Sequence, residues 1–151
     1  MIFYHDYTVL EATFLSFFGK NISMDLECLA NVLKKHREIL FAYLYGSVAR
    51  GHARKDSDID VGIFLKRDFA RDVFYEFKVA AEIERKCNLK NVEVVVLNNK
   101  PLRFLNQVLR YGRLMFCRDE KARIEFETYV TKAYIDFLPY YREYDRMRLR
   151  T

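Results

Sequence analysis

Apolar residues along the 151-residue chain follow two rhythms that take turns. Short, nearly continuous apolar runs of β-branched and aromatic residues occur at Ile39 to Tyr45 (ILFAYLY), Asp58 to Leu65, Lys90 to Leu97 (KNVEVVVL) and Arg113 to Cys117 (RLMFC). These predict strands, the last a short edge strand. Between them the apolar positions recur every three or four residues, which predicts helices. The first carries Leu26, Leu29, Ala30 and Leu33, with Ser23 as its N-cap and an end near His36. A second spans Phe69 to Cys87 on Val73, Phe77, Ala80, Ala81 and Ile83, stopping at Asn88. A third is opened by Pro101 and closed by Gly112. A long one runs from Asp119 to about Arg148 and is expected to break before Pro139. Strands alternating with helices imply an α/β (α+β) fold: a small mixed sheet with helices packed mainly on one face.

One junction in this pattern carries chemistry. Gly46-Ser47 closes the first strand, and after ten further residues Asp58-Ile59-Asp60 opens the second. Gly46 lets the chain turn sharply and approach a ligand without a Cβ in the way. Ser47 offers a hydroxyl and an N–H to phosphate, and the segment to Arg50 can present further N–H groups. Asp58 and Asp60 lie two apart on a strand, so they share a face, while Ile59, Val61 and Ile63 take the other for the core. Paired carboxylates beside a phosphate cradle suit Mg²⁺ ions on a nucleoside triphosphate. The plainer alternative is a hairpin turn followed by solvated acids. With residue usage of roughly 6%, four fixed positions recur by accident about two times in a thousand chains of this length, which disfavours it.

The stretch YGSVARGHARKDSDIDVGIFL resembles the signature of the polymerase-β-like nucleotidyltransferases, above all their minimal single-domain branch. Ala49-Arg50-Gly51 and Ser57 fit that branch. The resemblance spans about residues 24 to 150 in element order, its specific motif only residues 45 to 65. It divides the chain into an N-terminal extension, residues 1–23, and a nucleotidyltransferase domain, residues 24–151. It implies nucleotide binding by Gly46, Ser47, Arg50 and Ser57, and metal binding by Asp58 and Asp60. The third carboxylate such proteins carry would be Glu93, the only acid in its strand, acting as general base, metal ligand or both; Asp is commoner there. Such proteins are often antitoxins encoded beside a HEPN ribonuclease toxin. The implied reaction moves AMP from ATP, with two Mg²⁺ ions, onto a tyrosine of that toxin. A small-molecule nucleotidyltransferase, an antitoxin acting by binding alone and an RNA-tailing enzyme are the alternatives.

Composition narrows this little. A net charge of +5 with both signs interspersed suits ATP, RNA or an acidic partner alike. Arg50, Arg54 and Lys55 in the motif loop either meet triphosphate oxygens or form a solvated surface. No nucleic-acid-binding region is evident, and no apolar run approaches a membrane span. Cys28, Cys87 and Cys117 have no paired spacing and read as reduced thiols of a cytoplasmic protein. The three histidines lack ligand spacing. Residues 1 to 21, rich in aromatics, read as an added strand or helix over a core face or as a partner contact. The Tyr- and Arg-rich end after Pro139 is either a docking tail or a solvated one.

Overall fold

The computed structural model describes residues 20–52, 54 and 57–150. Most of the N-terminal aromatic stretch, and Lys55, lie outside them. The elements in chain order are α1 (Lys20–Lys35), β1 (Ile39–Tyr45), α2 (Gly46–Ala49), β2 (Ile59–Leu65), α3 (Tyr75–Cys87), β3 (Val92–Val96), α4 (Leu102–Tyr111), β4 (Arg113–Cys117) and α5 (Glu120–Leu149). The strands form one sheet in the order β3-β2-β1-β4. β1 pairs antiparallel with β2 and with β4, whereas β2 and β3 run parallel, joined by the crossover helix α3. The mixed sheet and the α/β class are therefore as expected.

The helices, expected mainly on one face, are shared between both. Ala42, Val61, Ile63 and the alternate valines Val92, Val94 and Val96 join Leu29, Leu33, Val79 and Ile83 of α1 and α3 in one core. Phe41, Tyr43, Phe64 and Leu97 join Leu105 and Val108 of α4 with Phe126 and Val130 of α5 in the other. The reason lies in β1, which is apolar on both sides, so neither face can be left to water.

Four further expectations change. α1 has helical backbone from Lys20, so Ser23 lies inside it and not at its cap; serine only mildly disfavours a helix interior and does not stop one. α3 begins at Tyr75, and its core face is Tyr75, Val79, Ala80, Ile83 and Cys87. Val73 and Phe77, expected on that face, are exposed. Asn88 does end the helix, in the left-handed conformation at φ 51°. α5 continues through Pro139 as one 30-residue helix. The carbonyl that the proline leaves without a donor belongs to Ile135, an exposed residue, so water can satisfy it. Tyr129 of the same helix is exposed.

The cysteines give the fourth change. Cys28 of α1 and Cys87 of α3 form a disulfide, with Cα atoms 5.7 Å apart. Fifty-nine residues separate them in sequence, so spacing carried no sign of the pair. Cys117 is the free cysteine, its thiol pushed up chiefly by burial.

Candidate active site at the end of the central strands

β1 ends where Gly46 takes φ +72°, a conformation that favours glycine. The same residue has a second reason to be glycine. A Cβ there would stand 2.1 Å from Asp60 Oδ2, so the carboxylate of β2 occupies the space a side chain would need. Val48 and Ala49 are buried with Leu44 and anchor the turn. The turn closes on its own carbonyls: Arg50 N–H donates to Gly46 O, Gly51 N–H to Val48 O and His52 N–H to Ser47 O. The N–H groups of Ser47, Val48 and Ala49, at the start of a helical turn, have no acceptor within it, which is what an anion cradle requires.

Sheet register assembles the acidic side of the site. Tyr45 is opposite Asp60 in the β1–β2 ladder, and Asp60 is opposite Glu93 in the β2–β3 ladder. The row Tyr45–Asp60–Glu93 thus crosses three strands on the face that carries Gly62 and Phe64 further along β2. Asp58 lies one residue before β2 and is exposed, as is Glu93. Burial first, then Glu93 and Asp58, push the Asp60 carboxyl up to about 6. Burial first, then Asp60 and Glu93, raise the Tyr45 phenol well above its ordinary value. No cation relieves this charge: among the described residues none of the three acids forms an ion pair.

Three uncompensated carboxylates suit a divalent cation in charge and in ligand chemistry. Among the described residues, however, no group of three His, Cys, Asp or Glu side chains is gathered tightly enough to hold an ion as it stands. Asp58 and Glu93 are exposed, so their side chains have room to turn toward Asp60.

The remaining expected residues divide. Ser47 stands in the cradle itself. Arg50 is exposed at its end, with its guanidinium 4.0 Å from the centre of the Tyr111 ring. Ser57 is engaged within the loop: its hydroxyl accepts from Arg54 N–H at 2.7 Å, and its own N–H donates to Arg54 O. Sequence reasoning passed over Tyr45 and Tyr111. Tyr45 was counted only as strand core, although its place before Gly46 puts it beside the acids. Tyr111 ends α4 and carried no motif; only the tertiary fold brings it to Arg50.

Comparison with known proteins agrees with this geometry. The family described as "Polymerase beta, Nucleotidyltransferase" matches residues 27–121. No curated protein matches the chain in sequence. Among solved structures, one described as a toxin–antitoxin with AMP-PNP aligns with TM-score 0.69 at 17% identity, over 83% of this chain and 98% of that one. A chain of a tri-AMPylated Shewanella oneidensis HEPN toxin in complex with MNT antitoxin aligns with TM-score 0.65 at 15% identity, over 85% and 98%. The toxin–antitoxin MntA–HepT aligns with TM-score 0.64 at 15% identity, over 85% and 99%. At such identities the likeness is one of fold. With the family matched over more than half its length and the Gly46-Ser47 turn facing the carboxylate row, the chain belongs to the polymerase beta nucleotidyltransferase family.

Proposed function

We propose that the protein is a Mg²⁺-dependent adenylyltransferase that moves AMP from ATP to a tyrosine hydroxyl of a HEPN ribonuclease toxin, and so acts as its antitoxin. The observation that carries this reading is Asp60, lying over Gly46 and made hard to ionise by burial, Glu93 and Asp58. Such a concentration of like charge costs stability and serves a site that binds cations. The neighbours solved with a HEPN toxin or with AMP-PNP support the choice of partner and nucleotide.

In this reading the turn from Gly46 to Ala49, with the Ser47 hydroxyl and Arg50, holds the β- and γ-phosphates. Asp58 and Asp60 would hold Mg²⁺, joined by Glu93. Bound there, the ion would neutralise phosphate charge and make the α-phosphorus more electrophilic. Glu93 takes the proton of the acceptor hydroxyl as its oxygen bonds to the α-phosphorus. The α–β bridging P–O bond breaks, and pyrophosphate leaves with the electron pair. Tyr45, half-buried and edge-on to Phe104 at 5.5 Å between ring centres, walls the acidic row on the β1 side.

The test is incubation with α-labelled ATP, Mg²⁺ and the HEPN protein encoded beside the gene. Label on a toxin tyrosine is expected, with loss of ribonuclease activity. Inhibition without label, retained by Asp60→Asn, would establish neutralisation by binding alone in its place.

A further inference from the structure

The arginines at the α4–β4 junction are not used by the reading above. Arg50 and Arg110 both lie over Tyr111, with guanidinium carbons 4.0 Å and 5.3 Å from the ring centre. Two positive charges sharing one ring repel, and the ring repays only part of that cost. Neither guanidinium forms an ion pair among the described residues, although α3 and α5 show that this chain pairs its surface arginines readily. Asp60, for its part, is acted on by Glu93 and Asp58 and not by either arginine.

The junction is held firmly against the cradle. Gly112 follows Tyr111, and a Cβ there would meet Leu44 O at 3.1 Å and Val108 O at 2.3 Å. Its N–H donates to Val108 O at 2.7 Å, closing α4. Arg113 then pairs with Leu44 in the β1–β4 ladder, two residues before Gly46. Tyr111 is thereby fixed beside the end of β1. Among the described residues, Arg50 and Arg110 on the β4 side of the Gly46 turn and the three acids on the β2 side form no ion pairs, which leaves room for a ligand that brings both a metal and an extended polyanion.

We propose that Arg110, together with Arg50 held in place by Tyr111, forms the receptor for the pyrophosphate end of the nucleotide. Tyr111 is a positioning residue: its ring holds Arg50 extended toward the cradle. Arg110 contributes a second fork of N–H donors suited to phosphate oxygens. The inference rests on the nucleotide-transfer reading and extends it to residues outside the motif.

Titration calorimetry of the full chain with inorganic pyrophosphate and Mg²⁺ tests it, with AMP as the control ligand. Arg110→Gln should weaken pyrophosphate binding about tenfold, the loss of one charge-assisted contact, and leave AMP binding unchanged. Tyr111→Leu should weaken it several-fold, and Tyr111→Phe, which keeps the ring, should restore it to within about twofold. Arg110 is exposed, so Arg110→Gln keeps the test informative even where Tyr111→Leu unfolds. Wild-type pyrophosphate affinity in both Arg110→Gln and Tyr111→Leu overturns the proposal, as does equal weakness of Tyr111→Phe and Tyr111→Leu. Absence of pyrophosphate binding by the wild-type chain overturns it too. A chain that binds pyrophosphate through Arg110 yet transfers no AMP would sink the activity reading alone.

Discussion

Two groups of carboxylates flank β3, and they are treated in opposite ways. On the α3 side Glu38, Glu76, Glu82 and Glu84 all have partners. Glu84 accepts from Val92 N–H at 2.9 Å and Glu76 from Val96 N–H at 2.7 Å, so side chains satisfy both ends of the outer edge of β3. His36 joins Glu38 and Glu82, and Lys86 pairs with Glu82. The Lys86 hydrogen bond, then His36, hold Glu82 below its ordinary value. Burial opposes the same for Glu38, but hydrogen bonds from Tyr75, its own backbone and His36 prevail. On the other face Asp58, Asp60 and Glu93 have no cationic partner, and Asp60 is pushed up. One set of acids stabilises the fold; the other weakens it, and in the proposed function it is the set that meets the ligand. Acid content alone does not separate them, but partnership does.

The largest expected effect comes from breaking the second set. Asp58→Asn or Asp60→Asn should reduce transfer from labelled ATP by about a thousandfold or more, the loss of several kcal/mol of charge stabilisation. Near-normal transfer by either variant would remove the metal assignment. Next, Glu93→Gln should slow single-turnover transfer about a hundredfold or more while ATP affinity stays close to wild type. A neutral result would reduce Glu93 to a residue at the strand end.

The first set should answer in stability and not in rate. Glu84→Ala leaves the Val92 N–H without its acceptor, a loss of about 1–3 kcal/mol, or several degrees in Tm, with ATP binding unchanged. Equal loss of ATP binding would mean that the two sets are not separable.

The smallest effect has the opposite sign. Asp60 has a folded pKa of about 6 against 3.8 unfolded, so its ionisation costs stability above about pH 6 and nothing below pH 3.8. Asp60→Asn should therefore raise the metal-free Tm at pH 7.5 by about 2–4 °C, since partial exposure screens the cost to about 1 kcal/mol. The gain should vanish near pH 4. Glu38 and Glu82, with lowered values, lose their contribution as pH falls through their folded pKa values. A Tm gain for Asp60→Asn that persisted at pH 4 would contradict the electrostatic account.

The site was legible where it depended on local order. Gly46 to Asp60 is one contiguous motif, and strand alternation alone put Asp58 and Asp60 on one face. Glu93 was singled out because an acid in VEVVV has no packing reason to be there, and the register of β2 with β3 sets it opposite Asp60. Tyr111 and Arg110 were invisible, since they reach the cradle only through the packing of α4 against β1. The choice of face by α3 was misread for a related reason: Val73 and Phe77 have helical spacing, but the position of Tyr75, Val79, Ile83 and Cys87 against the sheet decided which stripe is buried. Pro139 misled because the rule against proline in a helix supposes a buried carbonyl, and here the carbonyl faces water.

The Cys28–Cys87 bond gives the molecule a covalent ring whose contents are unequal. Inside it run the second half of α1, all of β1, the Gly46 turn, Asp58, Asp60 and α3; Glu93, α4 and α5 hang outside as a tail. By chain-closure entropy a ring of this size is worth roughly 4 kcal/mol against unfolding. Its topology matters in another way. A single cut at Arg54 would leave both halves of the motif tied together by sulfur, to part only when the bond is reduced. The two aspartates and the Gly46 turn thus belong to one cyclic piece of chain, while Glu93 and the Tyr111 junction reach them only through non-covalent packing.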